Sequence, residues 1–129
     1  MKKDIETRDD VRLMVDTFYQ KVKQSSVIGY IFDDVAKIDW NKHLPIMYSF
    51  WSSILLNEHS YSGGTMIKHI NLSNKTELNR EHFSEWVLLF NQTLDELFEG
   101  PKSREAKQRA EMIAGLMISK IVHHHSQVK

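Results

Sequence analysis

Four side chains are of the right type to build a buried binding site: Tyr19, His43, His69 and Trp86. His69 lies in SYSGGTMIKHINLSN, residues 60–74, a polar, glycine-containing stretch with an apolar edge at Ile67 and Ile70. An imidazole in such a place either packs a loop against a core or serves as a ligand to something the chain encloses. Tyr19 and Trp86 fall on the apolar faces of helical segments, and a buried Tyr O–H or Trp N–H needs a polar partner. His43 stands at the start of another apolar helix. The four heads can converge on one pocket, although packing alone is the commoner role of a lone core histidine or aromatic.

Other chemistries find little support. The chain has no cysteine, which removes disulfides, thiolate catalysis and cysteine-ligated zinc or iron–sulfur clusters, and fits a reducing compartment. Its seven histidines include no HExxH pair and no carboxylate–histidine spacing favouring zinc or di-iron. There is no glycine-rich phosphate loop and no Ser–His–Asp order. Seventeen Lys and Arg balance seventeen Asp and Glu, so no net field favours nucleic acid or anionic lipid. No signal peptide is visible behind MKKDIETRDD, and no apolar run approaches the roughly 20 residues of a membrane helix. The expectation is a cytoplasmic protein that binds neither nucleic acid nor membrane.

The elements that must position these residues are helices. In TRDDVRLMVDTFYQKVK, residues Val11, Met14, Val15, Phe18, Tyr19 and Val22 recur at offsets of three and four, and Thr7 with Asp10 forms a capping-box pattern. A short apolar piece, VIGYIFDDV, follows. A further helix over WNKHLPIMYSFWSSILL aligns Leu44, Met47, Trp51, Ile54 and Leu55, with Pro45 tolerated if the helix starts near Asn41 or kinks. NREHFSEWVLLFNQTLDELFEG buries Phe83, Trp86, Val87, Phe90, Leu94 and Leu97 and ends at Gly100-Pro101. The last helix begins near Ser103 and carries Ala106, Ala110, Ile113, Ala114, Met117 and Ile121. No segment reads as a strand, so the fold class is all-α. Residues 57–76 stand apart as a long, weakly periodic stretch, and such stretches are usually functional or disordered. They contain His69.

One candidate imidazole on a loop, apolar walls, and Tyr, Trp and His donors opposite are what a haem site requires. The sequence resembles the truncated haemoglobins, group III. The likeness is carried by FYQKV from Phe18, IGYIFDD from Ile28, WNKH from Trp40, FWSSILL from Phe50, YSGGTMIKH from Tyr61, HFSEWVLLF from His82 and RAEMIAGLM from Arg109. It runs over residues 5–122. The family's prolines after the KH histidine are missing from HINLSNKTEL.

The resemblance implies a two-over-two helical sandwich, with residues 1–129 forming one globin-like haem domain, 5–122 its ordered core and 123–129 a tail. It implies haem b (iron protoporphyrin IX) as cofactor and His69 as the iron ligand. Tyr19, His43 and Trp86 become donors on the opposite side, and Phe32 packs on the porphyrin. Met47 and Trp51 line the walls, and Lys42 and Lys68 either meet the propionates or are simply solvated. The implied ligands are oxygen and other diatomic gases, nitric oxide and carbon monoxide. Slow oxygen release would favour sensing, scavenging or redox chemistry over oxygen transport, with a reductase as partner and a monomer or weak homodimer as the working form. Two alternatives stand beside it: a haem enzyme with peroxidase-like or nitric-oxide-detoxifying activity, and a haem-free helical interaction module whose aromatics are core.

Overall fold

The structure, a computed structural model, describes residues 2–31, 39–57 and 80–128, with side chains up to residue 119. Phe32, Lys68 and His69 lie outside the described residues. Among those described, four helices and no strand are present: α1 (Arg8–Gln24), α2 (Trp40–Leu55), α3 (Arg80–Leu97) and α4 (Pro101–Val128).

Helix α1 starts as its sequence dictates. Thr7 accepts a hydrogen bond from the Asp10 backbone N–H at 3.2 Å, and the Asp10 carboxylate accepts the Thr7 N–H at 3.0 Å in return. Val11, Met14, Val15, Phe18, Tyr19 and Val22 are all buried, so the helical spacing describes a real core face. After α1 the chain turns back on itself through residues 26–31, where Ile28 and Ile31 are buried. Gly29 permits this: a Cβ there would lie 3.0 Å from the carbonyl oxygens of Val22 and Lys23.

Helix α2 begins at Trp40, the first residue of the expected helical segment. Asp39 is its N-cap, accepting the Asn41 N–H at 3.1 Å, and the Asp39 carbonyl accepts the His43 N–H at 2.9 Å. Pro45 therefore sits inside the helix. It is exposed, so water can satisfy the carbonyl its missing N–H leaves free. Helix α4 starts two residues earlier than Ser103 because Pro101 opens it, a position where the missing N–H costs nothing. Its acceptor comes from the far end of the chain. Asp4 Oδ2 accepts the Lys102 N–H and Oδ1 the Ser103 N–H, each at 2.9 Å. Gly100 makes room for that carboxylate: its φ is 149°, and a Cβ would lie 2.6 Å from Asp4 Cγ. The helical backbone continues to Val128, past Ile121 and through the histidine run.

Helices α1 and α2 run antiparallel, with Tyr19 beside His43, Tyr48 donating to Asp16, and Arg8 Nη2 donating to Ser49 Oγ at 3.1 Å. Helices α3 and α4 form a second antiparallel pair, with Phe83 against Met117 near one end and a Lys107–Asp95 ion pair near the other. The first pair lies across the second chiefly through α1 on α3. Between the layers, Phe90 and Leu94 meet Met14, Phe18, Trp51 and Leu55 in one apolar cluster.

Candidate functional site

The aromatic residues are arranged as a connected layer. Phe90 is fully buried, and Trp51 stacks on it at a centroid distance of 4.7 Å and 22° between planes. Trp86 lies parallel to Phe90 at 6.0 Å and 6°. Phe18 meets Phe90 edge-on at 5.2 Å and Trp86 edge-on at 5.8 Å, and it touches Tyr19 at 4.9 Å. Such tilted and offset contacts suit the ring quadrupoles. Met47, one turn before Trp51 on α2, is buried in the same cluster.

Polar heads sit at the Tyr19 end of this layer. The Tyr19 hydroxyl is 3.2 Å from His43 Nε2. Both residues come from ordered helix turns, Tyr19 from the penultimate turn of α1 and His43 from the first turn of α2. Burial raises the Tyr19 hydroxyl pKa, so it stays protonated. Trp40 closes the group, its ring 5.3 Å from that of Tyr19 and 5.7 Å from that of His43. Lys23 Nζ lies 4.5 Å above the Trp40 ring centroid. Trp86 is half-buried rather than buried, and among the described residues no group accepts its indole N–H. The site thus offers a protonated phenol, an imidazole and an indole N–H beside an apolar wall.

No family model matches the chain. It is 28% identical over 117 residues to the group 3 truncated hemoglobin ctb of Campylobacter jejuni, covering 88% of this chain and 90% of that protein. Its fold superposes on the crystal structure of the group III truncated hemoglobin from Campylobacter jejuni with a TM-score of 0.80 and 27% identity, covering 94% of this chain and 95% of that one. In sequence and in fold the chain is similar to the group III truncated haemoglobins. It has the all-α truncated globin fold that its sequence led one to expect, with α1 and α2 as one layer and α3 and α4 as the other.

Of the seven residues singled out in the sequence, the structure describes five. Tyr19 and His43 are in direct contact. Trp51 and Trp86 flank Phe90 on the wall, and Met47 is packed within the same cluster. His69 and Phe32 lie outside the described residues. Lys42, named for the propionates, is exposed. Sequence reading did not single out Phe18, Phe90 or Trp40 as site residues. Phe18 and Phe90 were legible as core, but their central place in the layer depends on how α1 and α3 cross. The signal for Trp40 was its i,i+3 spacing from His43, which puts both rings on one helix face. No helix among the described residues is long and apolar enough to cross a membrane, and no described group of His, Cys, Asp or Glu could hold a metal ion.

Proposed function

We propose that this globin binds haem b through His69 and holds a diatomic gas beneath Tyr19, His43 and Trp86. The observation that carries the reading is the Tyr19–His43 contact, formed at the edge of an apolar aromatic layer that includes Trp86. A haem, when bound, supplies an iron on which an oxygen, nitric oxide or carbon monoxide ligand takes up electron density. The chain's own donors then do the rest. For Tyr19 to donate its proton toward a ligand, its oxygen must accept from His43, which the Nε2–H tautomer of the imidazole would allow across their 3.2 Å contact. This relay polarises the phenol and fixes its direction. The raised pKa of Tyr19 keeps the proton in place.

Met47, Trp51, Phe18 and Phe90 exclude water from the adjoining wall, so the buried Tyr19 hydroxyl acts in a low dielectric. A hydrogen bond to a charged acceptor contributes about 1.5–3 kcal/mol, and two slow ligand release by about two to four powers of ten. Slow release makes the protein a poor carrier and suits retention, sensing or scavenging of the gas.

The test is the optical spectrum of haem-loaded protein, ferrous and ferrous–CO, for wild type and His69→Gly with and without added imidazole. Loss of the normal spectrum in His69→Gly and its return with imidazole is the expected result. Identical spectra for the two proteins would move the ligand elsewhere, and no haem uptake by either would return the aromatic layer to an ordinary core.

A further inference from the structure

Trp40 has a place that the gas-binding reading does not use. It is the first residue of α2, one helical turn from His43, and its ring faces both members of the Tyr19–His43 pair at 5.3 and 5.7 Å. The angles between planes, 59° to Tyr19 and 81° to His43, make it a wall that meets Tyr19 at a tilt and His43 nearly perpendicular. The Lys23 ammonium also lies on the indole, 4.5 Å from the ring centroid, reaching over from the last turn of α1. A cation at that distance over an indole is attracted by the ring's negative face. Trp40 is therefore held from α1 by Lys23 and placed on α2 by the Asp39 cap, across the same helix pair that Tyr19 and His43 bridge.

His43 is half-buried and lies in the first turn of its helix, so part of its side chain meets solvent. We propose that Trp40, braced by Lys23, is the positioning residue that keeps His43 turned onto Tyr19 and so fixes the direction of the Tyr19 hydroxyl. This rests on the reading of Tyr19 and His43 as the gas-facing pair. Without the indole, the imidazole divides its time between Tyr19 and solvent, and the phenol loses its single orientation. Phenylalanine retains most of the ring wall and should retain most of the effect. Removing only the Lys23 charge loosens the wall without opening a cavity.

Two readouts on the full chain test this in wild type, W40F, W40A and K23M. One is the nitrogen NMR signal of the His43 imidazole, which reports the hydrogen bond to Tyr19 with or without haem. The other is the infrared C–O stretch of the ferrous–CO complex, which reports donation toward the ligand. The expected result is one dominant C–O band in wild type and W40F, and at least two of comparable intensity in W40A. The hydrogen-bonded His43 signal should fall at least twofold in W40A and by a smaller fraction in K23M. A W40A protein with native helical circular dichroism, unchanged His43 signals and a single C–O band would overturn the proposal. If W40A does not fold, K23M decides: an unchanged His43 signal and band pattern overturns it. Absence of a CO complex in wild type would defeat the gas-binding reading alone, because the His43 signal still reports on Trp40.

Discussion

The Tyr19 hydroxyl and His43 Nε2 lie 3.2 Å apart across the α1–α2 interface, one at the end of its helix and the other at the start. Two helices must therefore hold their register for the pair to exist, and Tyr48 donating to Asp16 and Arg8 donating to Ser49 hold that register further along. Tyr19→Phe keeps the ring contacts to Phe18 and Trp40 and removes only the hydroxyl. We expect oxygen dissociation, measured by stopped flow, to accelerate by about ten- to a hundredfold, the loss of one hydrogen bond to a charged acceptor. His43→Leu should accelerate it less, because His43 acts through Tyr19, and the double variant should show less than the product of the two effects. Because burial raises the Tyr19 pKa above that of a free phenol, wild-type release should show no step from Tyr19 ionisation up to about pH 10. A Tyr19-dependent step between pH 8 and 10 would refute that assignment.

Phe90 is the hub of the wall. It is fully buried, stacks on Trp51 and Trp86, and receives Phe18 edge-on. Phe90→Ala removes the one ring those three share, and close-packed helices relax only partly into the space. The cost should be about 3–5 kcal/mol in chemical denaturation, with Phe90→Leu closer to the low end of that range or below it. Phe83→Ala offers the contrast, since Phe83 sits in a separate, smaller cluster with Ala114 and Met117 and is slightly exposed. Its loss should cost less. Equal costs would mean that the aromatic layer is not a cooperative unit.

What the sequence revealed and concealed follows from the range of each interaction. The core face of α1 was legible because burial repeats every three or four residues, and its cap because Thr7 and Asp10 are neighbours. The likeness to truncated haemoglobins was legible because the order and spacing of short motifs survive across the chain. The true start of α4 was not, since the Asp4 carboxylate that caps it comes from 98 residues away. Trp40 reads as one more aromatic until the α1–α2 register brings Tyr19 and Lys23 onto its ring. Only the packed state defines such partners.

The Asp4 cap leads to a stability prediction with a defined pH sign. Partial burial alone would raise the Asp4 carboxyl, but the N–H groups of Lys102, Ile5 and Ser103 outweigh it and hold the pKa below its usual value. Asp10 is shifted the same way: burial opposes, while the Lys3 ammonium and the Glu6 and Thr7 N–H groups prevail. A carboxylate whose folded pKa is depressed stabilises the fold above its unfolded pKa, near 3.9, and loses that contribution as pH falls through the folded value. Asp4→Ala should therefore cost about 1–2 kcal/mol at pH 7, the range for a lost helix cap. The gap between wild type and variant should narrow as pH drops below about 4, because the wild type is losing the same charge. Urea unfolding followed by circular dichroism at pH 7, 5, 4 and 3 measures both. A gap that stays constant to pH 3 would show that the Asp4 charge contributes nothing and that its role is steric. A gap that widens would reverse the sign argued for its pKa.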